Sequence, residues 1–153
     1  MGILVVYIEN HKNASIEVLC QDYIKKTQGN FALKAIPLPS SKVTDPKKQQ
    51  ELETAAVLKQ CKATDKLILC DERGSIYNSV QFSTFVANEL ANSRGNLIFA
   101  IGGAYGFTQE VLQSHVTLKL SEFVMPHQIA RLVLIEQLYR AFQIQKGTGY
   151  HHT

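Results

Sequence analysis

No apolar stretch in this chain approaches the roughly 20 residues that a helix needs to cross a bilayer. The Met1-Gly2 start leads into a strand-like run, without the basic-then-apolar pattern of a signal peptide, so the expectation is a cytoplasmic protein with no membrane partner. Cysteine is scarce and odd in number. Cys20, Cys61 and Cys70 show neither CxxC nor zinc-site spacing, which argues for structural thiols and against a disulfide framework or a metal site. A dense basic stripe is also missing: 16 Lys+Arg against 13 Asp+Glu leave a formal charge of +3. That permits a nucleic-acid partner held by local contacts or by surface gained through oligomerisation. No internal repeat, low-complexity tract or domain boundary interrupts residues 1–153, so one domain with a real hydrophobic core is expected.

Two nucleotide signatures are absent as well. The first strand-like run exits through Glu9-Asn10-His11-Lys12 with no glycine, where a dinucleotide fold would place its fingerprint. The glycine loop Ile101 to Phe107 (IGGAYGF) lacks a GK[ST] ending, so no lysine is set on a phosphate.

What is present alternates between short β-rich runs and longer helical segments. Ile3–Ile8 reads as a strand, and Ala14–Thr27 has helix-spaced Ile16, Leu19, Tyr23 and Ile24. Phe31, Leu33, Ala35 and Leu38 suggest a second strand broken by Pro37 and Pro39. Asp45-Pro46 opens a helix to about Cys61, Lys66–Cys70 is the next strand, and Ser79 caps a helix from Val80 to Asn92. Asn96–Ile101 is a strand, Thr108 caps a short helix to Ser114, Val116–Leu120 is the last strand, and Pro126 starts a long final helix. This order predicts an α/β protein with a mainly parallel sheet flanked by helices.

Ligands of open α/β sheets bind beyond the carboxyl ends of the strands. Three segments are expected to leave such ends: Asp71-Glu72-Arg73-Gly74, the loop Gly102 to Gly106, and Leu120 to Met125. Glycines there would let backbone approach a ligand closely, although a tight turn with no ligand would use them equally well. The final helix spreads Ile129, Leu132, Val133, Leu134, Ile135, Leu138, Tyr139, Phe142 and Ile144 over much of its circumference. It therefore requires a second apolar surface, and a homodimer is inferred; a central helix in a monomeric core would satisfy the same pattern. Arg131 falls between Leu138 and Phe142 on that wheel and must find an anion or snorkel to water, whereas Glu136 and Arg140 can pair along the surface.

The run PHQIARLVLIEQLYRAFQI (Pro126 to Ile144) is similar to the PH…R..…EQ.YRA stretch of the RlmH family of SPOUT RNA methyltransferases. IGGAYGF resembles that family's IGG..G loop, Leu69 to Gly74 its L-D-x-x-G turn, and Tyr150-His151 its closing Y-H, in the same order along essentially the whole chain. The resemblance implies a SPOUT fold with a carboxyl-terminal trefoil knot, a homodimer, and methyl transfer from S-adenosylmethionine to N3 of a pseudouridine in large-subunit ribosomal RNA, within the assembled ribosome. By position it implies a cofactor site at Cys70, Gly102, Gly103, Leu120, Ser121, Glu122, Phe123, Val124 and Met125. It implies substrate contacts at His127, Tyr139 and Tyr150, with His151 as base and Arg131 or Arg140 as electrostatic partner; no metal is implied.

Some positions depart from the family's pattern. Thr148-Gly149 stand where relatives tend to carry His-Pro, and His152 where a basic residue is common, which predicts a more flexible tail. The rival readings are a dimeric RNA- or ribosome-binding module that keeps the fold without catalysis, and an α/β enzyme for some other adenine-containing ligand.

Overall fold

The continuous apolar run near the amino terminus forms the second strand of the sheet, covered on both faces. In the computed structural model, which describes residues 2–29 and 31–152, β1 spans Gly2–Glu9 and pairs in parallel with both β2 (Ala32–Pro39) and β4 (Leu97–Ile101). Met1 of the Met1-Gly2 start, with Asn30 and Thr153, lies outside the described residues. The remaining strands are β3 (Lys66–Ile76) and β5 (Val116–Lys119), giving a five-stranded sheet of order β2-β1-β4-β3-β5, every pairing parallel. Strands buried on both sides read as unbroken apolar runs, which is why Ile3–Ile8 shows no alternation.

The helices are α1 (Ala14–Thr27), α2 (Pro46–Leu58), α3 (Ser79–Asn92), α4 (Gln109–Ser114) and α5 (His127–Lys146). On one face, Cys20 and Ile24 of α1, Phe82 and Val86 of α3, and Leu134, Ile135, Leu138 and Phe142 of α5 pack on Ile3, Val5, Leu97 and Phe99. On the other, Val57 of α2 and Val111 of α4 pack with Phe107 on Val6, Ile8, Leu69 and Ile98. Helix α5 contacts both α1 and α3, so the second apolar surface it requires is supplied within the chain. Its circumference is thus the central-helix pattern, and the homodimer rests on the family resemblance instead.

Local departures have physical causes. Pro37 and Pro39 do not break β2, because the strand lies at the sheet edge. Two residues apart, they point their missing donors to the same side, away from β1, while the next amide, of Ser40, reaches inward to the Glu9 carbonyl at 3.4 Å. The cap of α3 is Asn78 rather than Ser79. Its side chain accepts from the Gln81 amide at 2.8 Å and Gln81 Oε1 accepts from the Asn78 amide at 2.9 Å, a reciprocal capping box. Asp45 caps α2 by accepting from the Lys48 amide at 3.0 Å, with Pro46 just inside, as expected, but the helix stops at Leu58, short of Cys61. Thr108 begins α4 without a side-chain capping bond, and β5 ends at Lys119 rather than Leu120. The largest difference is β3, which runs on past Cys70 to Ile76: Leu118 pairs with both Cys70 and Ser75, so residues Asp71–Gly74 are an irregularity within the strand and not a loop leaving it. Gly74 is obligatory there, since a Cβ would lie 2.6 Å from the Leu118 amide nitrogen.

Candidate functional site

Beyond the carboxyl ends of β4 and β5, and beside the irregularity that interrupts β3 after Cys70, opens a cleft of about 490 Å³. Every residue expected at the cofactor lines it: Cys70, Gly102, Gly103, and the run Leu120, Ser121, Glu122, Phe123, Val124 and Met125. The substrate candidate His127 lines it too. Asp71, Glu72 and Arg73 of the β3 irregularity and Tyr105 of the glycine loop also contribute and were not singled out as site residues. Their signal was available, because the same segments were already read as lying near strand ends.

The glycine loop turns tightly. The Gly106 amide donates to the Gly103 carbonyl at 3.0 Å, and Gly106 takes φ +68°, a left-handed conformation that favours glycine. Helix α2 braces the loop from behind: Gln50 Nε2 donates to the Tyr105 carbonyl at 2.8 Å, and the Thr108 amide donates to Thr54 Oγ1 at 3.3 Å. Opposite, Asp71 Oδ1 accepts from the Arg73 amide at 2.9 Å and from Arg73 Nε at 2.8 Å, while Arg73 Nη1 reaches Gln109 at 3.2 Å. Burial alone would raise the Asp71 pKa, but these bonds outweigh it and hold the carboxyl below its usual range. Burial pushes the Cys70 thiol up to about 12, with the neighbouring Asp71 charge adding to it, so Cys70 presents a neutral, soft wall. On the third side Lys119 Nζ is tied to Glu122 Oε2 at 2.9 Å, and the Phe123 amide to Ser121 Oγ at 2.9 Å. Phe123 and Val124 stand 84% and 95% exposed at the rim. The cleft thus offers glycine backbone, apolar surface and balanced charges: Asp71 pairs with Arg73 and Glu122 with Lys119, and Glu72 adds a further carboxylate. Both of its cations are tied to carboxylates, so neither is set on a phosphate.

The expected catalytic residues do not share this cleft within one chain. Arg131 is buried to 2% exposure and does not snorkel; its Nη1 donates to Glu17 at 2.9 Å and its guanidinium lies 4.1 Å from the centre of the Tyr7 ring. Burial alone would lower its pKa, but the hydrogen bond to Glu17 and the neighbouring Tyr7 and Cys20 outweigh it and raise the value. Arg140, Tyr139, Tyr150 and His151 gather instead around Glu136, farther along α5. Arg140 Nη2 and the Tyr150 hydroxyl both donate to Glu136 Oε2 at 2.8 Å, and Tyr139 meets Tyr150 edge-on with ring centres 4.8 Å apart. Tyr139 also packs on Tyr23 at 5.6 Å. The tail is therefore docked where flexibility was expected, with Tyr150 and His151 half-buried. Arg140 Nη1 lies 3.1 Å from His151 Nδ1, and a guanidinium can only donate, so the imidazole lone pair is occupied in this arrangement. At 1.5 Å per residue, Arg140 stands about 20 Å along the helix from His127. Among the described residues no group of His, Cys, Asp and Glu has metal-binding geometry, and no helix is long and apolar enough to cross a membrane.

An all-parallel α/β sheet with a cleft walled by backbone segments of the last three strands of its order, β4, β3 and β5, defines the class of protein. A family model described as "Predicted SPOUT methyltransferase" matches residues 1–151, and the chain belongs to this family. It is 37% identical over 158 aligned positions to the "Ribosomal RNA large subunit methyltransferase H" of Flavobacterium johnsoniae, covering 99% of each chain. The protein of that name from Bacteroides fragilis is 36% identical, with 95% of this chain and 92% of the relative covered. That from Lactococcus lactis is 31% identical, with 99% of each covered. Among solved structures, a protein described as a probable methylase from Haemophilus influenzae Rd KW20 superposes with a TM-score of 0.52 at 17% identity, covering 95% of this chain and 66% of that one, a likeness of fold alone.

Proposed function

We propose that the protein transfers a methyl group from S-adenosylmethionine to N3 of a pseudouridine in large-subunit ribosomal RNA. The observation that carries this reading is the convergence of Cys70, Gly102-Gly103 and Leu120–Met125 on one cleft in a chain of the SPOUT methyltransferase family. The names borne by relatives at 31% to 37% identity support the ribosomal RNA substrate.

The chain's own groups fit the methyl donor. The Gly102-Gly103 backbone and the Leu120–Met125 run would hold the adenine by apolar contact and main-chain hydrogen bonds, and Glu72 would add negative charge near the cationic sulfonium, beside the Asp71–Arg73 and Glu122–Lys119 pairs. When bound, S-adenosylmethionine supplies an activated methyl whose sulfonium departs as a neutral thioether once the new N–C bond is made. Holding the acceptor nitrogen in line is worth up to about 7–11 kcal/mol through proximity and orientation. His127 stands in the wall of the cleft toward the acceptor. His151 takes the N3 proton, which requires its Nδ1 to leave Arg140, and Arg140 or Arg131 favours the deprotonated ring.

The functional unit in this reading is a homodimer, in the cytoplasm and acting on the assembled ribosome. The distance along α5 between His127 and the Glu136–Tyr150 cluster supports it, because a partner's tail can complete a cleft that the chain's own tail does not reach. Exposed Val18 and Leu19 on α1 and Ile129 on α5 offer apolar surface for such a contact. A trefoil knot around the cleft belongs to the same expectation.

Titration with S-adenosylmethionine tests the reading first: saturable binding near physiological concentration is expected, and its absence would leave only a binding module. Labelled methyl should then appear on assembled ribosomes lacking the modification. Labelling of transfer RNA in their place would overturn the substrate assignment.

A further inference from the structure

The two carboxylate oxygens of Glu53, a residue of α2 that is 3% exposed, stand in very different surroundings. Oε2 accepts from Ser40 Oγ at 3.0 Å, from the Ser41 amide at 2.8 Å and from Gln49 Nε2 at 3.3 Å. Oε1 accepts nothing and faces the Gly103 backbone, with Ile8 Cγ2 alongside. Among the described residues no salt bridge reaches Glu53, so neutral donors on one oxygen alone hold the carboxylate. A buried acceptor left unsatisfied costs the desolvation of that atom, and each one in a folded protein calls for a reason.

The missing donor is close at hand. Among the described residues the Gly103 and Ala104 amides donate to no protein group, although the Gly103 carbonyl is fixed by the Gly106 amide. Gln50 holds the tip of the loop at Tyr105 and Thr54 holds the Thr108 amide beyond it, which leaves the Gly102-Gly103 peptide as the unbraced part. A peptide between two glycines turns over with no Cβ to oppose it. In a trans peptide the N–H and C=O point opposite ways, so a turn that brings the Gly103 N–H onto Glu53 Oε1 aims the Gly102 carbonyl into the cleft.

We propose that Glu53 is a positioning residue for cofactor binding: its Oε1 receives the Gly103 amide when the cleft is filled, which turns the Gly102 carbonyl toward an amino group of the bound S-adenosylmethionine. The assignment rests on the methyltransferase reading above and deepens it. Glu53 touches no ligand itself and acts from behind the loop. A carboxylate suits this part, because one oxygen remains free after three donors have fixed the other. Linkage makes the two events reciprocal: a cofactor that draws the loop onto Glu53 is held more tightly by the acceptor waiting there. Through Oε2 the same carboxylate carries the change to Ser40 and Ser41, which follow β2.

The test is a titration of the full-length protein with S-adenosylmethionine, followed by amide chemical shifts and calorimetry. In the wild type the Gly103 amide proton should move downfield on binding and exchange with solvent about tenfold more slowly, and the Ser41 amide, outside the cleft, should shift with it. Glu53→Gln keeps one carbonyl oxygen for the Ser41 amide, which sets its NH2 against the loop and removes the acceptor. That variant should bind S-adenosylmethionine about tenfold more weakly and lose the downfield Gly103 shift while the Ser121 and Phe123 shifts remain. In methyl transfer the loss should fall on KM for S-adenosylmethionine and not on KM for ribosomes. Cleft shifts in the wild type with an unmoved Gly103 amide, or unchanged affinity in Glu53→Gln, overturn the proposal and leave the methyltransferase reading standing. Equal losses in both KM values from a folded variant do the same, because Glu53 is then a structural group alone. Should Glu53→Gln fold poorly, the wild-type shifts decide. If S-adenosylmethionine shifts no amide at all, both readings fall.

Discussion

The Glu53 carboxylate lies directly behind Gly103, so close that a Cβ on that glycine would fall well inside contact distance of Glu53 Oε1. Glu53 is itself fixed: it is buried, its Oε2 accepts from Ser40 Oγ at 3.0 Å and from the Ser41 amide at 2.8 Å, and its Oε1 has no partner. The glycine is demanded by a side chain from α2 and not by φ, which is positive at Gly106 and not at Gly103. Gly103→Ala should therefore push the loop into the cleft and weaken S-adenosylmethionine binding by about tenfold, an overpacking cost of roughly 1–3 kcal/mol. In the Glu53→Ala background the same substitution should cost clearly less. Additive losses in calorimetric titration of both single variants and the double would remove this account.

Arg131 and Glu17 should respond unequally to removal. Glu17→Ala orphans a charge that is 2% exposed, whereas Arg131→Met takes the buried charge away and leaves Glu17, whose side chain is 45% exposed, to water. Urea unfolding should show a loss on the order of 2–3 kcal/mol for Glu17→Ala, below the full cost of orphaning a buried charge because the pair is partly solvated. Arg131→Met should cost less than half as much. Equal losses would mean that the pair, and not the burial of the arginine, sets the energy.

Cys70 gives a pH dependence of definite sign. Its pKa rises from 9.0 to about 12 on folding, mainly through burial, so its contribution to stability is complete below 9.0 and is lost as pH rises toward 12. Cys70→Ala should flatten that alkaline loss. At pH 8 the native thiolate fraction is about one in ten thousand, and iodoacetamide should leave Cys70 unmodified over hours. Labelling at the rate of an unfolded control would show that the thiol is not held as described.

The order of the elements was legible because each strand is a short apolar run bounded by polar turns, and each helix has a cap or a period to announce it. The prolines of β2 misled because their effect depends on which side of the strand is paired, a property of the sheet. Asp71–Gly74 misled for a related reason: the irregularity in β3 is imposed by pairing with Leu118, almost fifty residues on. At the site, the glycine loop and the Leu120–Met125 segment were readable from chemistry, position and resemblance. The Glu53 brace and the Glu17 partner of Arg131 were not, because each joins segments that only the folded chain brings together.

The docked tail makes the last separation testable. Tyr150 holds Glu136 through its hydroxyl, and Arg140 lies over the Tyr150 ring at 4.8 Å while occupying His151 Nδ1. Tyr150→Phe removes one hydrogen bond to a charged acceptor, worth roughly 1.5–3 kcal/mol, and loosens the tail from α5. None of these residues lines the cleft beside Gly102-Gly103 in its own chain. Methyl transfer to ribosomes should fall with Tyr150→Phe and fall further with His151→Ala, while the dissociation constant for S-adenosylmethionine stays within about twofold, a change under 0.5 kcal/mol. A parallel loss of cofactor affinity in both variants would make the tail a support for the cleft, and the catalytic part given to His151 would have to pass to His127.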